Sequence, residues 1–231
     1  MNVAIVTAAG KGIGAGIARE LHRRGYLLAL LSPSGSAQAL AESLGGIGLT
    51  GSVENPEDLG QLVAKTLARW GRIDAVVNHT GHPPKGDLLE IPAQDWQKGH
   101  DMVLAPVIEM ARLVTPTMVK QGSGAFVNVT TFAAYEPSLI FPVSCTYRAA
   151  VGAFTRLFAD RYAAQGIRMN AVLPGFTDSL AHKPETIASI PMKRVGTTSE
   201  IAKAVAFLLS EDAGYITGQS LRVDGGVTRH L

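Results

Sequence analysis

The sequence has only one cysteine, Cys145, among its 231 residues, and few charged side chains. One cysteine cannot form a disulfide within the chain, which is typical of proteins from a reducing cytoplasm. The net charge is only +2, with no dense basic run. Nucleic-acid binding needs a clustered basic surface, so we expect no nucleic-acid partner. The longest apolar stretches, such as residues 26–31, are too short to cross a bilayer, so we expect no membrane association.

The N-terminus also lacks the charged segment, apolar core and cleavage site of a signal peptide, which again favours the cytoplasm. The length fits one domain over residues 1–231. A chain of this size buries well over half of its unfolded surface, so it needs neither disulfides nor a bound metal to fold.

Short apolar runs alternate with longer amphipathic segments. The predicted strands are residues 3–6, 27–31, 75–77, 125–129, 169–173 and 221–223, and several are apolar on both faces. The predicted helices are residues 13–24, 59–70, 93–118, 142–165 and 198–209, the third bent by Pro106. This alternation predicts a single-domain, doubly wound α/β fold, with a parallel sheet and helices on both faces.

A glycine-containing turn, Thr7-Ala8-Ala9-Gly10-Lys11-Gly12-Ile13-Gly14, joins the first predicted strand to the first helix. Such a turn lets a diphosphate approach the helix N-terminus, where free N–H groups favour anions. Ala8 stands where a first glycine is usual, and we expect it to adopt a backbone angle that a side chain tolerates.

Other segments extend this pattern along almost the whole chain. Asn78-His79-Thr80-Gly81 follows one strand, Asn128-Val129-Thr130-Thr131 ends another, Pro174-Gly175 follows a third, and Val223-Asp224-Gly225-Gly226 lies near the end. From Ala4 to Val223 the sequence resembles the short-chain dehydrogenase/reductase family. The resemblance implies a Rossmann-like fold, a nicotinamide cofactor, oxidoreductase activity on a small-molecule substrate, and a homo-oligomer (dimer or tetramer).

The resemblance also assigns a cofactor site. It comprises Thr7, Ala8, Lys11, Gly12, Ile13, Gly14, Ser32, Pro33, Ser52, Val53, Asn78, Thr80, Gly81, Arg148, Pro174 and Gly175. Asn78 would tie neighbouring strands together, and Arg148 would hold ribose hydroxyls. Ser52 followed by Val53 replaces the aspartate that the family often has after the third strand.

The choice between NAD and NADP depends on the end of the second strand. An acidic residue there binds the ribose 2′-hydroxyl and repels a 2′-phosphate. This chain has Ser32 there, and Pro33 where NADP-dependent relatives often carry arginine. Lys11 stands where such relatives often place a basic residue, so the sequence favours NADP(H) over NAD(H).

The residues at the catalytic positions, which we call the reaction end of the crevice, differ from those of the family. Aligning the two flanking segments places Thr131 at the catalytic serine, Ser144 at the tyrosine and Arg148 at the lysine. Val103 takes the place of the asparagine that supports a water relay. The sequence therefore predicts an atypical member in which Thr131, Ser144 and Arg148 occupy the catalytic positions. An arginine does not release its proton at physiological pH, so it cannot be the acid.

Two functions stay open: an NADP(H)-preferring oxidoreductase with an altered site, acting on a small carbonyl, imine or enone, and a catalytically silent dinucleotide-binding sensor or partner subunit. Tyr147, Tyr135 and His82 are alternative acids, although packing or surface roles suit them better. Cys145 and His79 fit buried structural roles. Residues 177–194, rich in small, polar and proline residues, would cover the substrate.

Overall fold

Strands and helices alternate throughout residues 1–229, the part of the chain that a computed structural model describes. The strands are β1 (Val3–Val6), β2 (Leu27–Ser32), β3 (Ile47–Thr50), β4 (Ala75–Asn78), β5 (Gly124–Val129), β6 (Ile167–Pro174) and β7 (Ser220–Val223). The α-helices are α1 (Gly12–Arg23), α2 (Ser36–Ser43), α3 (Pro56–Trp70), α4 (Ala93–Val103), α5 (Ala105–Gln121), α6 (Pro142–Tyr162), α7 (Pro184–Ser189) and α8 (Thr198–Leu209).

The strands form one sheet in the order β3-β2-β1-β4-β5-β6-β7, and every pairing is parallel. The order reverses between β1 and β4, where successive connections leave toward opposite faces of the sheet. A crevice for a ligand therefore opens at the carboxyl ends of these two strands. The predicted fold class, a Rossmann-like doubly wound α/β sheet, is confirmed.

Two apolar cores cover the two faces of the sheet. One core contains Ile17 of α1, Leu40 of α2 and Ile201 of α8. The other contains residues of three helices, Leu62 of α3, Met110 of α5 and Phe158 of α6. Strand residues alternate between the cores, so the central strands are buried on both sides, as their continuous apolar runs predicted.

Three elements were not predicted from the sequence. β3 is a four-residue edge strand, interrupted by Gly48 and only partly buried, so it lacks the apolar run that marks the central strands. α2 has eight residues, and α7 has six residues, none of them buried. Short elements with little apolar surface leave a weak periodic pattern.

The predicted helix over residues 93–118 is two helices, α4 and α5, which meet at Leu104, and Pro106 lies in the first turn of α5. The combined segment Ala93–Gln121 is long and apolar enough to cross a membrane, by length and composition alone. The expectation that no segment reaches that length was therefore wrong. In the fold, α5 covers β4, β5 and β6, and α4 packs on α6, which accounts for this apolar character.

Candidate functional site

The turn between β1 and α1 presents a helix N-terminus without a side-chain cap to the crevice. Lys11 is the N-cap residue of α1, its side chain makes no capping hydrogen bond, and the first turn contains no acidic residue. The start of α3, in contrast, is capped by Asn55, and α8 begins with a capping box between Thr197 and Glu200. The free N–H groups of α1 are therefore suited to a bound anion such as a diphosphate.

The backbone of this turn is tightly constrained. A Cβ atom on Gly14 would lie 2.2 Å from the Ala8 carbonyl oxygen, so only glycine fits at that position. Ala8 itself has φ +47°, in the left-handed region. The expectation that Ala8 would adopt an ordinary backbone angle was wrong. The turn imposes a conformation that costs a residue with a side chain about 1 kcal/mol, and glycine would avoid that cost.

His79 supports the same turn from β4. The Thr7 hydroxyl donates to the His79 carbonyl oxygen over 2.7 Å and accepts from the His79 N–H over 2.9 Å. Burial of the imidazole, aided by the nearby Arg148 cation, lowers the pKa of His79 to about 4, although a hydrogen bond with the Ala8 backbone acts in the opposite direction. His79 is therefore neutral at physiological pH and acts as a structural hydrogen-bonding group.

At the end of β2, hydroxyl groups take the place of a carboxylate. The buried Ser32 hydroxyl donates to the Ser34 carbonyl oxygen over 2.6 Å and accepts from the Ala37 N–H over 3.2 Å. The Ser34 and Ser36 hydroxyls are hydrogen-bonded to each other over 2.7 Å. A Cβ on Gly10 would collide with the Ser36 hydroxyl, so this cluster lies against the glycine turn. Pro33 and Lys11 are exposed beside it.

The end of β3 contains an acidic group that the sequence analysis missed. The carboxylate of Asp58, from the first turn of α3, accepts a hydrogen bond from the Ser52 N–H over 2.8 Å. The Ser52 hydroxyl accepts from the Glu54 N–H over 3.1 Å, which closes a local turn around Val53. An acidic residue in the first turn of a helix is so common that its sequence gives no signal for this contact.

A buried chain of amides joins the strands beneath the crevice. Asn78 Nδ2 donates to Asn128 Oδ1 over 2.8 Å, and Asn128 Nδ2 donates to the Thr155 hydroxyl over 2.9 Å. The Thr155 hydroxyl in turn donates to the Val151 carbonyl oxygen over 2.7 Å. Asn78 thus ties β4 to β5, and Asn128 ties β5 to α6.

Thr131, Ser144 and Arg148 come together at the carboxyl end of β5. Thr131 follows this strand, and its hydroxyl accepts a long hydrogen bond of 3.4 Å from the Ala133 N–H. Ser144 and Arg148 lie one turn apart on α6, and Arg148 Nε donates to the Ser144 hydroxyl oxygen over 3.1 Å. The proton of the Ser144 hydroxyl consequently remains available to a ligand.

The Arg148 guanidinium points inward, to backbone carbonyl oxygens. Nη1 donates to Val129 over 2.8 Å and to Thr130 over 3.3 Å, and Nη2 donates to Gly81 over 3.2 Å. Together with the bond to Ser144 these contacts use four of the five N–H groups. In this conformation one N–H group of Arg148 has no protein partner in the described chain.

This guanidinium is a buried cation without a carboxylate. Arg148 is 6% exposed, and none of the ion pairs in residues 1–229 includes it. Burial lowers the pKa of Arg148 to about 10, so the group still carries its charge at neutral pH. A buried positive charge that only dipoles compensate attracts negative charge in a bound molecule.

Three buried polar atoms without a protein partner belong to residues that line a small cavity beside Arg148. They are Asn78 Oδ1, His79 Nδ1 and Thr80 Oγ1, all inaccessible to bulk solvent. The cavity measures about 20 Å³, and Val103 forms part of its wall. That volume is sufficient for one water molecule.

Of the alternative acids, Tyr147 is packed against other rings, whereas Tyr135 and His82 are exposed. The Tyr147 ring packs edge-on against Trp96 and His100 of α4, with centroid distances of 6.2 and 5.9 Å. Cys145 is buried and contacts Ser138 in the loop after β5. Tyr135 is 52% exposed. His82 follows Gly81, and burial together with the Arg148 and Lys85 cations lowers its pKa.

The segment after β6 returns to the glycine turn. The Gly175 N–H donates to the Val223 carbonyl oxygen over 3.0 Å, which fixes the Pro174-Gly175 corner against β7. Ser179 lies so close to Gly12 that a Cβ on that glycine would be 3.3 Å from the serine Cβ. The predicted covering segment, residues 177–194, therefore begins beside the start of α1, and it includes the short helix α7.

Known proteins match almost the whole chain. The profile of a family described as enoyl-(acyl carrier protein) reductase matches residues 7–228. The chain is 32% identical to 3-oxoacyl-(acyl-carrier-protein) reductase FabG of Staphylococcus epidermidis, over 97% of this chain and 98% of that protein. It is 34% identical to 3-oxoacyl-(acyl-carrier-protein) reductase of Synechocystis sp., over 97% and 96% of the two chains. The FabG protein of Haemophilus influenzae is 32% identical, with 97% of both chains covered.

Proposed function

Because this chain belongs to the short-chain dehydrogenase/reductase family, we propose that it is an NADP(H)-preferring oxidoreductase with an atypical reaction end. The observation that carries the proposal is the uncapped start of α1 at the point where the strand order reverses. The residues fit a dinucleotide there, since Gly14 leaves no side chain beside the Ala8 carbonyl and no side chain of the N-cap residue caps the first N–H groups of α1.

The remaining contacts of the dinucleotide follow the carboxyl edge of the sheet. Thr7, Ala8 and Lys11 would flank the diphosphate, and Ser52 and Val53 the adenine. Asn78, Thr80, Gly81, Pro174 and Gly175 would surround the nicotinamide half, with one N–H of Arg148 directed to its ribose. When bound, the cofactor supplies or accepts the hydride.

The preference for NADP(H) rests on the end of β2. Ser32 and Pro33 place no carboxylate at this strand end, where an acidic side chain would repel a 2′-phosphate. The hydroxyls of Ser34 and Ser36 and the exposed ammonium group of Lys11 are suited to an additional phosphate.

The reaction end is suited to a substrate that needs little help from an acid. Thr131 would orient the substrate, and the Ser144 hydroxyl, whose oxygen already accepts from Arg148, would donate a hydrogen bond to it. The buried Arg148 cation would stabilise negative charge that develops during hydride transfer. Loss of a general acid costs about 10²–10⁴-fold in rate, so imines, activated enones and activated carbonyls are the favoured substrates.

Assembly and location follow the same reasoning. α5 and α6 expose apolar side chains, namely Ile108, Val119 and Leu157, which would be covered in a homo-oligomer (dimer or tetramer). The chain would form a single domain over residues 1–231 in the cytoplasm, with residues 177–194 covering a small-molecule substrate.

One observation favours a second function, a catalytically silent sensor of the dinucleotide or a partner subunit. The inward contacts of Arg148 join α6 to the end of β5 and to Gly81 after β4, which is a structural role that needs no substrate. A protein that only binds the cofactor would need this stability and no acid.

Two measurements test both functions. NADPH and NADH are titrated by fluorescence, and absorbance loss is then followed over ketones, imines, enones and 3-oxoacyl thioesters. Turnover supports the oxidoreductase, binding without turnover supports the sensor, and failure to bind either dinucleotide contradicts both. A Ser144→Tyr, Arg148→Lys double variant should gain activity on simple ketones, and equal ketone turnover in both proteins would contradict the altered-site proposal.

A further inference from the structure

The loop that follows β4 places a histidine next to the reaction end. We infer that His82 is a catalytic residue of the oxidoreductase, which donates the proton to the substrate in reduction and accepts it in oxidation; this inference rests on the proposed function. The sequence alone favoured a surface role for His82. The residue is exposed, but two contacts tie its loop to α6, the helix that contains Ser144 and Arg148.

These two contacts lie on either side of Ser144. At one end of the loop, the Gly81 carbonyl oxygen accepts from Arg148 Nη2 over 3.2 Å. At the other end, Lys85 Nζ lies 4.7 Å from the centre of the Phe141 ring, and Phe141 is the N-cap residue of α6. Ser144 lies between these two positions of the helix. The loop therefore lies beside the first two turns of α6.

The loop has little freedom to move away from the helix. Pro83 and Pro84 each fix a backbone φ angle, and Pro83 is buried. His82 stands between Pro83 and the carbonyl group of Gly81, which the Arg148 guanidinium holds. The same guanidinium donates to the Ser144 hydroxyl oxygen over 3.1 Å. The backbone of His82 is therefore held next to the reaction end.

The charges that act on His82 agree with this position. Partial burial of the imidazole lowers the pKa of His82, and the cations of Arg148 on α6 and of Lys85 on the same loop lower it further. His82 also contributes to the lowered pKa of His79, the residue after β4. No hydrogen bond within residues 1–229 contributes to the pKa of His82. The imidazole is therefore able to exchange a proton with a bound molecule.

The proton balance of the reaction is simple. Reduction of a carbonyl group adds a hydride from NADPH to the carbon and one proton to the oxygen. The imidazolium form of His82 donates that proton and becomes neutral, and solvent protonates it again because the side chain is exposed. In oxidation, neutral His82 accepts the proton of the alcohol. Arg148 is unsuited to this role, since its pKa of about 10 keeps the guanidinium protonated at neutral pH.

The experiment measures the reduction rate between pH 5 and pH 8 with NADPH and the ketone or enone that wild type reduces fastest, because neither class of substrate titrates in that range. Wild type is compared with His82→Gln, Lys85→Gln and the control His22→Gln. His22 is an exposed histidine in the last turn of α1, on the opposite face of the sheet from α6.

A second measurement does not depend on turnover. NMR of the imidazole protons in the protein without cofactor gives the pKa of His82, whose signals are identified by their absence from the spectrum of His82→Gln. Circular dichroism checks that each variant folds. Lys85→Gln removes one of the cations that lower the pKa of His82, so it should raise that pKa and move the midpoint of the rate profile upward by the same amount.

In wild type the reduction rate should fall roughly tenfold per pH unit above the measured pKa of His82, because only the imidazolium can donate the proton. His82→Gln should lose about 10²–10⁴-fold of the rate at pH 5 and should respond weakly to pH, and His22→Gln should behave like wild type. 

A folded His82→Gln with the rate and profile of wild type would overturn the inference and leave the proposed function intact. The same conclusion would follow from a rate midpoint that does not move with the pKa in Lys85→Gln, or from turnover confined to imines, which solvent can protonate before reduction. A wild type that turns over no substrate would overturn both the inference and the proposed oxidoreductase.

Discussion

Replacing the buried His79 with asparagine should remove most of the loss of stability that the protein suffers in mildly acidic solution. The pKa of His79 is about 4 in the folded protein, against an ordinary value of 6.5. As the pH falls below 6.5, the His79 imidazole therefore becomes protonated in the unfolded chain while it stays neutral in the folded protein. The resulting stability is present above that pH and is lost as the pH falls toward 4.

The magnitude follows from this difference. Each pH unit between the two pKa values corresponds to about 1.4 kcal/mol, so wild type should lose roughly 2 kcal/mol between pH 7.5 and pH 5.0 through this group. Glu20 and Glu200 have pKa values of about 2 in the folded protein, because Arg23 and Arg194 respectively donate hydrogen bonds to them. Their contributions are lost below the ordinary pKa of 4.5, outside this window.

The assay is urea unfolding, followed by tryptophan fluorescence at pH 7.5, 6.0 and 5.0. His79→Asn keeps the backbone hydrogen bonds to Thr7, so it should fold and should show a much smaller decrease in unfolding free energy. His82→Gln is the control, since the pKa of His82 is also lowered but its imidazole lies in a more exposed position. Equal losses in wild type and His79→Asn would refute the reasoning.

Three further variants test the site. Gly14→Ala places a methyl group against the Ala8 carbonyl, so the turn must shift. This variant should weaken NADPH binding roughly tenfold or more, and unchanged affinity in a titration of the folded variant would contradict the diphosphate site. Thr155→Val removes the acceptor of the Asn128 amide and should cost about 1–3 kcal/mol in urea unfolding, whereas Thr146→Val on the exposed side of α6 should cost much less. Arg148→Lys cannot reproduce four planar contacts and should lower the melting temperature, and an unchanged melting temperature would show that the carbonyl contacts contribute nothing.

The central strands could be predicted because a strand that is buried on both faces consists of consecutive apolar residues. Residues 3–6 and 27–31 are such runs, and β1 and β2 cover them. The edge strand β3 is partly solvated and contains Gly48, so its pairing with β2 depends on the neighbouring strand more than on its own composition.

The same distinction applies to the site. The glycine turn is a local pattern, and its position between β1 and α1 could be predicted from eight consecutive residues. The inward orientation of Arg148 could not, because its partners are carbonyl groups 18, 19 and 67 residues away, which every residue type possesses. The left-handed backbone angle of Ala8 could not be predicted either, because an alanine in that conformation leaves the surrounding sequence pattern unchanged.

The carbonyl groups that hold Arg148 have one more consequence. A substitution at position 81, 129 or 130 cannot delete the backbone carbonyl that accepts from the guanidinium, so it cannot remove the acceptor itself. Only the arginine itself, or a displacement of the main chain, can release it. Laboratory evolution of this protein toward new substrates could therefore vary the exposed position 81 and still retain the cation at the base of the cleft, whereas Val129 and Thr130 are buried.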